Sequence, residues 1–288
     1  MYGSIEYILA GVLVGFCVGV TGVGGGSLMT PILITLFKIE PHIAIGTDLL
    51  YAAISKFFGS VVHAKKLNIV WPIVIWLAVG SIPASIATTW VLDNYLSQST
   101  HYKAILTMVL GFMLTITGIS IVFRTQVERF FSRFGKPMTN EDIDQQRERL
   151  KSKRVQIALM GIVLGIFVTL SSVGAGAFGI MFPNLPMIRI IGSDVVHAVL
   201  LTLVAGMGHM SSGNVDFELL MWLLIGSIPA IIVGTLVSSR LPEKIIRKIL
   251  GITLFALGIN FMINPVKSKP VTPPEVAITA PAIASQTN

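Results

Sequence analysis

Two glycine-dense breaks inside otherwise apolar sequence constrain this chain more than any other feature. The first, Thr21-Gly22-Val23-Gly24-Gly25-Gly26-Ser27, lies between the apolar runs Ile5 to Val20 and Leu28 to Phe37. The second, Ser171-Ser172-Val173-Gly174-Ala175-Gly176, lies between Val155 to Leu170 and Ala177 to Ile188. Each glycine costs a helix interior about 1 kcal/mol relative to alanine, so both stretches read as helix breaks. Backbone freed inside hydrocarbon must be buried in protein or line a wet cavity. A pair of such breaks, one in each half of a chain, marks a transporter binding site.

The surroundings of the breaks are those of a membrane protein. Hydrophobic residues make up 53% of the 288 and charged residues only 12%, where a soluble domain carries about a quarter charged. Apolar runs recur at or near the roughly 20 residues that cross a bilayer. The formal charge of +7 would suggest nucleic acid in a soluble chain. Here the cations fall in loops beside apolar runs, where they orient a membrane protein. Cys17 is the only cysteine, which excludes an intramolecular disulfide and a cysteine metal cluster; it reads as a small packing residue. The N-terminus lacks the basic n-region of a secretory signal, so the first apolar run is expected to stay.

The chain repeats itself. Gly11 and Gly15 match Gly161 and Gly165, and Val23-Gly24-x-Gly26 matches Val173-Gly174-x-Gly176. Past a four-residue shortening, Gly46-Thr47-Asp48 matches Gly192-Ser193-Asp194, and His63 matches His209. Gly80-Ser81-Ile82-Pro83-Ala84 matches Gly226-Ser227-Ile228-Pro229-Ala230, and Gly111/Gly118 match Gly251/Gly258. Anchors in one unbroken order indicate duplication. Each half then reads as a broken segment followed by three spans, near 43–63, 71–92 and 104–123, and near 193–212, 218–239 and 245–264. The expected division is a first repeat over 1–123, a charged cytoplasmic linker over 124–154, a second repeat over 155–264 and a disordered tail over 265–288. The linker holds nine Lys/Arg and five Asp/Glu, with a helix expected from Ile143 to Arg154.

If each broken segment is a hairpin, each half crosses an odd number of times and the halves invert. Inversion gathers 16 cations on one face against four on the other, while a parallel arrangement divides them 13 to 7. The positive-inside rule favours inversion. The fold expected is therefore an all-α polytopic membrane protein of two inverted repeats. Each is a Gly-broken helical hairpin followed by three transmembrane helices, eight to ten membrane segments in all.

Several residues then stand out as chemistry. N–H groups in a Gly-rich turn entering a helix form an anion nest, helped by the positive end of the helix dipole. Thr21, Gly22, Gly24, Gly25, Gly26 and Ser27, with Ser171, Ser172, Gly174 and Gly176, are the expected substrate-binding residues. Gly11, Gly15, Gly161 and Gly165 read instead as close helix packing. Asp48 and Asp194, at matching positions, are candidate proton carriers; an equal reading is that each caps its helix. Lys56, opposite Thr202 in the repeat, would neutralise an anion, pair with Asp48 or snorkel to the interface. His197, three residues beyond Asp194, is the third proton-coupling candidate, whereas His63 and His209 read as membrane-edge residues. No metal-ligand spacing, phosphate loop or nucleophile elbow is present, so no enzyme, metal or cofactor is expected.

At these residues the chain resembles the TauE/SafE sulfite-exporter family. The resemblance rests on Thr21-Gly-Val-Gly-Gly-Gly-Ser-Leu-Met-Thr-Pro31, Gly46-Thr-Asp-Leu-Leu-Tyr51, the second Ser-Ser-Val-Gly-Ala-Gly and the twin Gly-Ser-Ile-Pro-Ala. It spans about residues 5–264 without the linker, and Ala175 departs from it by replacing the middle glycine. It implies a permease of the bacterial plasma (inner) membrane moving small sulfur-containing anions, with the two glycine turns as anion site. The expectation is a secondary transporter for sulfite or an organosulfonate, working by proton-coupled alternating access. Its partners are a small anion and the bilayer, without nucleic acid, and a homo-oligomer is compatible with it. The alternatives are a passive anion channel, or a membrane-embedded enzyme or sensor built on Asp194 and His197.

Overall fold

A computed structural model describes residues 2–21, 26–65, 69–97, 99, 101–132, 153–173, 187–237 and 243–266, which form helices and short connections. In chain order these are α1 (Tyr2–Thr21), α2 (Gly26–Thr35), α3 (Pro41–Lys65), α4 (Trp71–Val91) and α5 (Tyr102–Ser132), then α6 (Arg154–Ser171), α7 (Met187–Ser211), α8 (Phe217–Val237) and α9 (Glu243–Ile263). The expected spans map onto α3, α4, α5, α7, α8 and α9. α4 runs on into a π-helical turn, Leu92–Leu96. α5 does not stop at 123 but continues to Ser132, into the stretch expected to be linker. The expected linker helix and the tail beyond 266 lie outside the described residues.

Six of the helices are long and apolar enough to cross a bilayer. Their outer faces carry large exposed side chains, among them Ile75, Val79 and Ile86 on α4 and Met221, Ile225 and Ile232 on α8. Apolar surface on this scale is unusual facing water and ordinary facing lipid. The protein is an all-helical, polytopic membrane protein.

Packing between the halves follows the repeat. The principal helix pairs are α1 with α8, α4 with α6, α5 with α9, and α3 with α7. Small residues bring the backbones together. A Cβ on Gly11 would meet the Leu223 carbonyl and one on Gly161 the Leu77 carbonyl, while Gly15 faces Ser227 as Gly165 faces Ser81. Gly226 meets Ile8 as Gly80 meets Ala158. Without a hydrophobic force between helices in lipid, close contact of this kind is what holds them together. These contacts advance together along α1 and α8, and along α4 and α6, so each of those pairs runs parallel.

The other two pairs run antiparallel. Gly111 meets Gly258 while Gly118 meets Gly251, and Gly46 meets His209 while Gly206 meets Leu50. Followed through the bundle, α1 and α3 therefore start at the same end. α1 is about 30 Å long and α2 about 15 Å, so together they go out and come back. Cys17 is half-buried against the main apolar cluster, in the packing role expected of it.

Candidate functional site

α1 is described to Thr21 and α2 from Gly26, on either side of the first glycine stretch, and α6 ends at Ser171, at the edge of the second. Gly22, Gly24, Gly25, Gly174 and Gly176 lie outside the described residues, as do the side chains of Thr21 and Ser27. Gly26 is the first residue of α2. What is described is the second break's edge. Ser172 takes the left-handed conformation, φ 57°, and closes α6 by donating its N–H to the Val168 carbonyl. Ser171 is buried and donates its hydroxyl to the Phe167 carbonyl at 2.6 Å.

Behind these edges sits a small cavity of about 20 Å³, lined by Lys56, Ser172, Asp194, His197 and Thr202 with Leu164, Val168 and Leu201. That is room for about one water molecule. An oxyanion with its first contacts needs the site to widen. The cavity joins α3, α6 and α7, so both halves contribute to it.

Neither aspartate caps a helix. α3 begins at Pro41 and α7 at Met187, which leaves each acid about two turns inside. Asp48 is fully buried, and its Oδ2 accepts from the Thr30 hydroxyl at 2.5 Å and the Thr30 N–H at 3.2 Å. Its Oδ1 makes no hydrogen bond, and neither does the Ser172 hydroxyl, the next polar group beside it. Asp194 is half-buried on the cavity wall. Lys56 does not snorkel to an interface. It closes an ion pair with neither Asp194 nor Asp48 among the described residues, so the Asp48–Lys56 pair, one of the three readings, is not formed.

The neighbouring hydroxyls do the capping instead. Thr47 Oγ1 accepts the Asp216 N–H ahead of α8 at 3.0 Å, and Ser193 Oγ accepts the Val70 N–H ahead of α4 at 2.8 Å. Each satisfies a first-turn donor that a helix cannot satisfy itself.

His197 is buried, and its Nε2 lies 2.9 Å from Ser81 Oγ on α4. Tyr51 holds the equivalent position in the first half and faces Ser227 on α8, the equivalent of Ser81, without closing a hydrogen bond. His209 is buried near the end of α7 with Nε2 3.0 Å from the Thr169 carbonyl. The side chain of His63 is outside the described residues. Thr30, Tyr51, Ser81 and Ser227 escaped the sequence reading as site neighbours. The two serines lie in the twin Gly-Ser-Ile-Pro-Ala and carried a signal, whereas nothing in the sequence singled out Thr30. Among the described residues no cluster of three or more His, Cys, Asp or Glu could hold a metal.

Comparison with known proteins agrees with this architecture. Residues 7–261 match the family described as sulfite exporter TauE/SafE. The probable membrane transporter protein YjnA of Bacillus subtilis (strain 168) is 36% identical over 263 residues, 90% of this chain and 100% of its own. A probable membrane transporter protein of Xylella fastidiosa (strain Temecula1 / ATCC 700964) is 26% identical over 88% of this chain and 93% of its own. A third, MJ0441 of Methanocaldococcus jannaschii, is 23% identical over 88% of this chain and 94% of its own. No solved structure matches the chain significantly. With the family match covering nearly all its helices, this multi-pass membrane protein belongs to the TauE/SafE sulfite exporter family and is a membrane transporter.

Proposed function

We propose that the protein is a secondary transporter for a small sulfur-containing oxyanion such as sulfite or an organosulfonate, working by proton-coupled alternating access in a bacterial plasma membrane. The observation that carries the reading is the cluster of buried Asp48 and His197 with half-buried Lys56 and Asp194 between the two halves. Ionisable groups inside a membrane protein are costly and mark substrate and proton pathways. The lysine supplies the charge an anion needs, and the carboxylates are the groups able to carry protons with it. The glycine turns at 22–27 and 171–176 complete the reading as backbone donors for the anion.

The two halves are read as inverted repeats. The antiparallel pairing of α3 with α7 and of α5 with α9 supports this, since each pair consists of repeat equivalents. It also agrees with the cation distribution, because the end of α5 and the start of α6 lie on the face where 16 of the cations would gather. That face is assigned to the cytoplasm. The domain limits follow: repeats over 1–123 and 155–264, a linker over 124–154 and a tail over 265–288.

The test is uptake of labelled sulfite into proteoliposomes, with and without an imposed pH gradient, competed by other small anions. Accumulation driven by the gradient is expected. Flux that only equilibrates would favour a channel, and competition by carboxylates but not by sulfur oxyanions would overturn the substrate class.

A further inference from the structure

Lys56 occupies a special level in the bundle. Gly46 meets His209 and Leu50 meets Gly206, which fixes the register of the antiparallel pair α3 and α7. In that register repeat-equivalent positions meet near residues 55 and 201, within a residue of Lys56. Asp48 and Asp194 each lie seven residues into a 25-residue helix, entered from opposite ends. They therefore stand on either side of the lysine, each about 10 Å in from its own end of the bundle. One cation at the level of symmetry has two carboxylates at mirrored depths.

The environment of each acid differs in the direction this placement requires. Asp194 lines the cavity that Lys56 also lines. Asp48 is sealed away, fully buried with one oxygen held by Thr30. Beside it stands Ser172, which lines the cavity and separates Asp48 from it.

We propose that Lys56 is the exchangeable counter-ion of the carrier: it leans on Asp194 when the site faces one side, on Asp48 when it faces the other, and holds the anion between them. This rests on the transport reading above and goes beyond it, since it names what changes partner during the cycle. The carboxylate that Lys56 leaves takes up a proton and the one it joins releases its own, so each change of partner is coupled to one proton taken up and one given off. The remaining groups around the lysine do not compete for this role. From α7 it also faces His197, whose Nε2 is engaged by Ser81; from α6 the cavity is lined by Leu164, Val168 and Ser172. α2 brings only the Thr30 hydroxyl and N–H to Asp48. α8 brings Asp216 to Thr47 at the far end of α3, and α5 brings Lys103 to Glu40 beyond it.

Pseudo-symmetry supplies the test. Thr202 is the repeat equivalent of Lys56, lies on α7 at nearly the same level and lines the same cavity. A lysine moved there faces the same two acids from the opposite helix. Lys56→Thr is expected to lower uptake of labelled sulfite by about tenfold or more, as when one member of a buried charge group is removed. It should also lower the melting temperature in detergent at neutral pH, a loss that disappears on acidification as the two carboxylates neutralise. The double variant Lys56→Thr/Thr202→Lys is expected to restore both. A lysine that serves only local packing on α3 would not be rescued from α7. Recovery of neither uptake nor melting in the double variant overturns the proposal, as does a Lys56→Thr protein equal to wild type in both. Should wild type move no sulfite, the substrate reading fails separately, and the melting comparison still decides on the lysine.

Discussion

The two halves hold the same acid in opposite ways. In the first, Asp48 is fully buried and takes two hydrogen bonds from Thr30 on the short helix α2. In the second, Asp194 is half-buried on a cavity wall beside Lys56. The flanking hydroxyls, Thr47 and Ser193, nonetheless do identical work, each capping a helix of the other half. The scaffold has kept its symmetry while the charged centre has lost it. In the alternating-access cycle proposed above, these matching contacts would be the frame within which the sealed and the open acid change places.

The comparison can be broken most sharply at the acids themselves. Asp194→Asn should remove the stimulation of uptake by a pH gradient, about tenfold or more, and lower the melting temperature, because Lys56 loses the carboxylate on its cavity. Asp48→Asn should do the same with a larger drop in melting temperature, because the Thr30 donors lose a charged acceptor as well. Equal melting of the two variants would mean that the sealed and open environments are energetically the same.

Next in size is Thr30→Val, which strips one donor from a buried carboxylate and should cost about 1–3 kcal/mol in unfolding measured in detergent. The contrast between His197 and Tyr51 comes below it. His197→Leu leaves the Ser81 hydroxyl without its cross-helix partner and should cost about 1 kcal/mol. Tyr51→Phe removes a hydroxyl that closes no hydrogen bond and should cost less than about 0.5 kcal/mol. Matching costs would show that the Tyr51–Ser227 contact is as tight as its counterpart.

The smallest effect is expected outside the membrane. Lys103 donates to Glu40 at 2.6 Å, and this hydrogen bond holds the Glu40 carboxyl below its usual range. Glu40 is exposed, so screening leaves at most about 0.5 kcal/mol. A depressed carboxylate contributes stability above its unfolded pKa, about 4.3, and loses it as pH falls through the lower folded value. Glu40→Gln should therefore lower the melting temperature slightly at pH 7, where the contact is intact, and make no difference at acid pH, where wild type has already lost it.

The helices themselves were legible because apolar length and glycine density are local properties. α4, α8 and α9 begin and end within about two residues of the spans read from sequence, close to the usual scatter of helix ends. Gly11 and Gly161 declared close packing for the same reason, as a glycine in a membrane helix has little other use. The capping alternative for Asp48 and Asp194 failed because α3 and α7 begin about two turns before them, at Pro41 and Met187.

By itself the sequence determined an all-helical membrane protein and its family, since both are written in composition and motif. Only the tertiary structure decided which helix of one half meets which of the other. The repeat relates Asp48 to Asp194 and Ser81 to Ser227, but says nothing of contacts that cross between halves. Those contacts put Ser81 on His197, capped α8 with Thr47, and set Lys56 between two acids. They depend on glycine-mediated backbone approach summed over whole helix faces, a property no single stretch of chain contains.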